Sequence, residues 1–207
     1  MKSNQYLATL KTYAAIAKKW DSLHPTNEHH DDSFQYFSEL LPSGRVLEVG
    51  CGSGNDSQTL VAHGYNYTGT DAVKEFVDIA KAKYPDRKFL QCAVQDVADM
   101  FSQSSFDGFW CSAVLLHIPR SEILETLKNL KKVTAPKSAG MISIQKGSGE
   151  KYEEGNKKTD GLPRLFVYYT QREFEELLDK AGFKTVHFIE KERADRPNWM
   201  HFVVKAK

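Results

Sequence analysis

Apolar residues in this chain follow two spacings. Leu7, Leu10, Ala14 and Ala17 recur three or four apart, which predicts a helix over 4–20. Phe34, Phe37, Leu40 and Leu41 predict a second helix over 33–41. Short apolar runs at 46–49, 65–71, 89–92, 106–112 and 140–145 read as strands. Between them, 55–63, 73–83 and 121–133 carry apolar residues at helical spacing, with Gly64 and Pro85 marking two of the ends. Thr170 and Glu173 form a capping box opening a helix that buries Phe174, Leu177, Leu178 and Ala181 and stops at Gly182. Segments 183–189 and 200–204 read as two final strands. Alternating strands and helices predict an α/β fold in one domain spanning 1–207, a length that allows a substantial core.

The first strand carries the candidate chemistry. It runs Val46-Leu47-Glu48-Val49 into Gly50-Cys51-Gly52-Ser53-Gly54, and Asn55 and Asp56 then start a helix. Strand, glycine loop and helix make a seat for a nucleotide-like ligand on a helix N-terminus; an ordinary tight turn has the same local sequence. Asp71 closes the second strand about twenty residues on, the distance at which such folds set a carboxylate against ribose hydroxyls. Gln95-Asp96-Val97 follows the third strand. Phe106 to Pro119 supplies the fourth strand and its exit loop.

Together these segments resemble the class I S-adenosylmethionine-dependent methyltransferases of the small-molecule type, over roughly 46–182. The resemblance implies a Rossmann-like three-layer sandwich with a seven-stranded, mostly parallel sheet whose last strand is antiparallel. It implies S-adenosylmethionine as cofactor. Glu48, Gly50, Cys51, Gly52 and Gly54 would serve the methionine portion, Asp71 with Ala72 the ribose, Asp96 and Val97 the adenine, and Ser112 and Ala113 the neighbouring wall. Residues 1–41 would form an N-terminal helical cap, with Tyr13 facing the methionine end. Tyr6, Tyr13 and Trp20 sit at seven-residue steps, a stripe that packing alone also explains.

On the acceptor side, His117 follows the fourth strand. It is read either as a general base, its unperturbed pKa lying near neutrality, or as a hydrogen-bonded loop histidine. Tyr168, Tyr169 and Trp199 are candidate acceptor contacts, and packing residues on the other reading. Arg164, Arg196 and Asn198 are candidate contacts to a polar or anionic acceptor. Residues 146–161, rich in Gly, Lys and Glu, read as a mobile loop, a lid over the acceptor or a surface insertion; the candidate lid extends to 168.

Formal net charge is +1, without the basic surplus of nucleic-acid binders, so the expected partner is a small-molecule acceptor. Cys51, Cys92 and Cys111 lack metal-ligand spacing, and the polar linker 24–32 has histidines without ordered spacing; no metal is expected. No apolar run reaches membrane-spanning length, and a cytoplasmic location is expected. Two other functions compete: an NAD-dependent oxidoreductase, against which the glycines run G-x-G-x-G rather than G-x-G-x-x-G, and a non-catalytic S-adenosylmethionine-binding protein.

Overall fold

A computed structural model describes residues 2–24 and 31–207. Most of the polar linker 24–32, with His29 and His30, lies outside them. Helix α1 (Asn4–Leu23) starts at Ser3, whose hydroxyl accepts the Tyr6 N–H at 3.1 Å. Helix α2 (Asp31–Leu40) leads to strand β1 (Arg45–Val49). The alternation predicted from sequence follows: α3 (Ser57–Ala62), β2 (Asn66–Asp71), α4 (Lys74–Lys83), β3 (Lys88–Gln91), α5 (Val97–Met100), β4 (Phe106–Ser112), α6 (Ile123–Val133) and β5 (Thr134–Gln145). Then come β6 (Gly149–Glu153), β7 (Arg164–Tyr168), α7 (Gln171–Lys180), β8 (Phe183–Lys191) and β9 (Trp199–Ala206).

The main sheet has seven strands in the order β3-β2-β1-β4-β5-β9-β8. β1 to β5 pair in parallel, and β9 enters antiparallel between β5 and β8. Side chains alternate across a strand, and here both faces are buried. Leu47, Val49, Phe109 and Cys111 pack with α6 and α7 residues such as Leu127 and Phe174. Val46, Trp110 and Met141 face Phe37, Leu60 and Val77 from α2, α3 and α4. These are the three layers of a Rossmann-like sandwich.

Three expectations need correction. Segment 146–161 is not irregular throughout: 149–153 form β6, which pairs with β7 along Gly149–Tyr168 to Glu153–Arg164 as a separate two-stranded sheet, and 154–161 stay without helix or strand. β6 is too polar to show as a strand, and it forms because the apolar β7 offers it an edge. β5 starts at Thr134 rather than 140, with a register shift against β4 between Phe106 and Gly108 and with Lys137 at φ +63°. Asp56 precedes α3 but its carboxylate does not cap it; it accepts the indole N–H of buried Trp110 at 2.6 Å.

α1 is set on the body by side chain to backbone bonds. Leu165 N–H donates to Thr9 Oγ1 at 2.8 Å, and Thr12 Oγ1 donates to the Pro163 carbonyl at 2.6 Å. Ala17 of α1 also packs with Val73 and Phe76 of the α4 segment. The helix thereby roofs the C-terminal ends of β1, β2 and β4, the edge at which open α/β sheets bind ligands.

Candidate active site

Under this roof lies a cavity of about 200 Å³. Its floor is the turn after β1. Gly50 (φ +68°) and Gly52 (φ +52°) line it in a backbone region that favours glycine. A β-carbon at Gly50 would strike the Val114 side chain, whereas one at Gly52 would meet nothing within 4 Å. The loop is tied to β2 by the Cys51 N–H, which donates to the Thr70 carbonyl at 2.9 Å.

Asp71, at the end of β2, faces the same cavity. One carboxylate oxygen accepts the Gly52 N–H at 2.9 Å and the other accepts the Val73 N–H at 2.8 Å. Burial pushes its pKa up to about 6, against the lowering effect of these two N–H groups. The acid thus braces the glycine loop and α4 while keeping lone pairs for a hydroxylated ligand.

At another wall, His117 makes two hydrogen bonds. Its Nδ1 lies 2.6 Å from the Leu165 carbonyl, which only accepts, so Nδ1 carries the proton. Nε2 is then an acceptor, and Tyr13 Oη donates to it at 2.9 Å. Arg164 Nη1 in turn donates to Tyr13 Oη at 2.9 Å. Burial lowers the His117 pKa to about 4; the Arg164 charge lowers it further and the Leu165 contact opposes the fall. Burial raises the Tyr13 pKa, with Arg164 opposing. At neutral pH the line is therefore a cationic Arg164, a neutral Tyr13 and a neutral His117.

Tyr13, Gly50, Gly52, Asp71, Ala72, Ser112, Ala113 and His117 are the sequence-predicted residues brought together on this cavity. Others stand elsewhere. Glu48 lies on the opposite face of β1, fully buried, accepting a hydrogen bond from the Tyr67 hydroxyl; burial and the nearby Asp56 raise its pKa well above the usual range. The Cys51 and Gly54 positions pack toward Phe89 and Tyr84, behind the loop. The Asp96 carboxylate pairs with Lys2, and the Val97 side chain is enclosed in the core. Cys92 and Val94, one turn earlier, line the cavity instead. Tyr168 donates to Glu153 at 3.2 Å, Tyr169 is buried under Arg120, and Trp199 is paired into β9 beside Arg193. None of these three reaches the cavity. Asn198 is held by Glu190 at 2.7 Å.

Sequence reasoning did not place Leu10, Trp20, Val73, Phe76 and Val114 on the wall. The signal for Trp20 was its step of seven from Tyr13: the stripe Tyr6, Tyr13 and Trp20 faces the cavity, whereas Leu7, from the other periodic set, is 41% exposed.

A loop without side chains on its open side and a buried carboxylate at the next strand end suit the aminoacyl and ribose parts of S-adenosylmethionine.

Comparison with known proteins agrees. A family model described as a methyltransferase domain matches residues 22–188. Ubiquinone biosynthesis O-methyltransferase of Xanthomonas campestris pv. campestris is 31% identical over 127 residues, which is 56% of this chain and 53% of that protein. The chain thus spans about half the length of the curated relatives it matches first. A SAM-dependent methyltransferase of Methanosarcina mazei superposes with a TM-score of 0.73 at 19% identity, over 84% of this chain and 96% of that one. The Burkholderia thailandensis 1,6-didemethyltoxoflavin-N1-methyltransferase, solved with its substrate and S-adenosylhomocysteine, superposes with a TM-score of 0.69 at 18% identity, over 100% and 92%. With its family match spanning most of the sequence and its cavity built from glycine loop and strand-end acid, the chain belongs to the class I S-adenosylmethionine-dependent methyltransferase family.

Proposed function

We propose that this protein transfers a methyl group from S-adenosylmethionine to a small-molecule acceptor seated between α1, residues 115–117 and β7. The observation that carries this reading is that Asp71 and the Gly50–Gly52 backbone open onto the same cavity as the Tyr13–His117 pair. When bound, S-adenosylmethionine supplies a sulfonium-activated methyl group to a nucleophile in line with it.

In this reading the Asp71 carboxylate accepts hydrogen bonds from the ribose diol, and the Gly50–Gly52 backbone holds the methionine portion. Ala72, Ser112 and Ala113 form the adjoining wall. Cys92 and Val94 bound the adenine side, where the sequence had pointed to Asp96 and Val97. Glu48 acts from behind, fixing Tyr67 under the loop.

His117 and Tyr13 handle the proton. The acceptor releases it to Tyr13 Oη, and the Tyr13 proton passes to His117 Nε2. The resulting imidazolium keeps its Nδ1–H on Leu165, and Arg164 steadies negative charge on Tyr13. A base with a pKa near 4 is weak. It suffices for an oxygen that has gained a methyl group, because such an oxonium is far more acidic.

A small acceptor fits the absence of a net basic surplus. Relatives named for ubiquinone biosynthesis and for 1,6-didemethyltoxoflavin support the same class. Three free, buried cysteines fit a cytoplasmic setting, and no helix among the described residues is long and apolar enough to cross a membrane.

Calorimetric titration with S-adenosylhomocysteine, with NAD in parallel, tests the reading. Micromolar binding of the former alone is expected. Binding of NAD alone, or of neither by folded protein, would overturn it.

A further inference from the structure

Arg120 lies three positions beyond His117, on the exit from β4. Its guanidinium is held on three sides. Nη1 donates to the Tyr168 carbonyl at 2.7 Å, Nη2 donates to Glu173 Oε1 at 2.8 Å, and the guanidinium carbon sits 4.5 Å from the centroid of the Tyr169 ring. The Arg120 backbone N–H donates to the Glu150 carboxylate on β6. One residue thus ties the exit loop of β4 to β6, to the end of β7 and to the cap of α7, where Glu173 also accepts the Thr170 N–H.

β7 has few other directional holds. It pairs with β6, and toward the main sheet the described residues show one isolated bridge, Lys146 to Tyr169. Leu165 and Val167 bury it against the core. Apolar burial is non-directional, so it does not fix where along its axis a strand stops. Hydrogen bonds do. From α1, Thr9 accepts the Leu165 N–H. The exit loop grips β7 at two points with matched spacing. His117 Nδ1 donates to the Leu165 carbonyl at 2.6 Å; Arg120, three residues on, donates to the carbonyl three residues on.

We infer that Arg120 is a positioning residue: by holding β7 in register with the exit loop it keeps the Leu165 carbonyl on His117 Nδ1, and so leaves His117 Nε2 free to accept from Tyr13. Its use rests on the methyl-transfer reading, since a ring in the Nε2–H tautomer cannot take the Tyr13 proton. The planar guanidinium suits the task because it meets a carbonyl, a carboxylate and a ring face at once, whereas an ammonium is a point charge without that fork.

The test reads the tautomer directly. Long-range 1H–15N correlation of the 15N-labelled protein at pH 7.5 gives the two ring-nitrogen shifts of His117, identified by their loss in His117→Asn. Wild type should be in the Nδ1–H form. Arg120→Gln should raise the ratio of Nε2–H to Nδ1–H at least about tenfold, the equivalent of about 1.4 kcal/mol. Arg120→Lys should restore part of the wild-type balance. Glu173→Gln keeps a capping side chain for α7 but takes the carboxylate from Arg120, and should shift the balance the same way by less. Val133→Ala truncates a buried residue at the other end of the sheet, next to the start of β5. It should lower the melting temperature and leave the tautomer alone. A wild-type ring in the Nε2–H form, an unchanged balance in Arg120→Gln, or an equal shift in Val133→Ala overturns the assignment. Should Arg120→Gln not fold, an unchanged balance in both Arg120→Lys and Glu173→Gln overturns it instead. Failure of the wild-type protein to bind S-adenosylhomocysteine counts separately, against the methyl-transfer reading, because the tautomer is read on the protein alone.

Discussion

Tyr13 Oη donates to His117 Nε2 at 2.9 Å, joining residues 104 positions apart, with the two rings edge to face at 5.4 Å between centroids. The bond consumes the only basic lone pair of a buried imidazole. Tyr13→Phe removes the donor and leaves that nitrogen without its protein partner, which should cost about 1–3 kcal/mol of stability. Urea denaturation of the variant against wild type checks this, and a loss below a few tenths would mean that the bond is not formed in solution.

Acid should expose His117. Its pKa is 6.5 as a free side chain and about 4 in the fold. Between these values the unfolded chain takes up a proton that the folded chain refuses, so stability falls as pH drops from 6.5 to 4. The full span is worth about 3 kcal/mol. Relative to His117→Asn, which cannot titrate, wild type should lose about that much stability between pH 7 and pH 4. A constant difference across the range would remove the assignment of a neutral buried imidazole.

Asp71 works in the opposite sense. Its pKa rises from 3.8 to about 6 on folding, so the folded chain is protonated first and gains relative stability as pH falls through that window. Cofactor binding through an ionised Asp71 should nonetheless weaken below pH 6, by up to about tenfold per unit. Calorimetry with S-adenosylhomocysteine at pH 7.5 and pH 5 should show this for wild type. Asp71→Asn should bind more weakly at pH 7.5 and show no such slope.

The two cavity glycines should part company. Gly50→Ala combines a left-handed backbone with a collision against Val114, and should cost about 3 kcal/mol or more. Gly52→Ala has the same backbone strain but open space around the new methyl, so about 1–2 kcal/mol is expected. That methyl would project into space reserved for the cofactor, so Gly52→Ala should melt only about 2–8 °C below wild type yet bind S-adenosylhomocysteine at least tenfold more weakly, the equivalent of about 1.4 kcal/mol. Equal affinity would show that the loop does not meet the cofactor.

The strand and helix alternation was legible because both sheet faces are covered, so each strand is an apolar run and each helix an amphipathic one. The glycine loop and Asp71 were legible because their spacing reflects one strand, one turn and one helix. The direction of Glu48 was not legible because a motif does not say which way a side chain points: alternation puts it with Val46, and its carboxylate accepts from Tyr67 off the cavity wall. The direction of the Val97 side chain was hidden for a similar reason: the short helical turn at 94–96 aims Val94 at the cavity and sends the Val97 side chain into the core. β6 was hidden by its composition, since Glu150, Lys151 and Glu153 carry no alternating apolar signal. The partnership of Tyr13 with His117 and Arg164 was beyond reach altogether, because it depends on three elements meeting that are far apart in the sequence.

The bond between Leu165 and Thr9 spans 156 residues. At translation rates of about 5–20 residues per second, the first helix of this protein waits roughly 8–30 s for the strand that holds it in place. The glycine loop and Asp71 emerge long before that strand does. A nascent chain carrying both still lacks the strand that anchors the roof over them. The order of synthesis therefore leaves the enclosure open until the last third of the chain has been made.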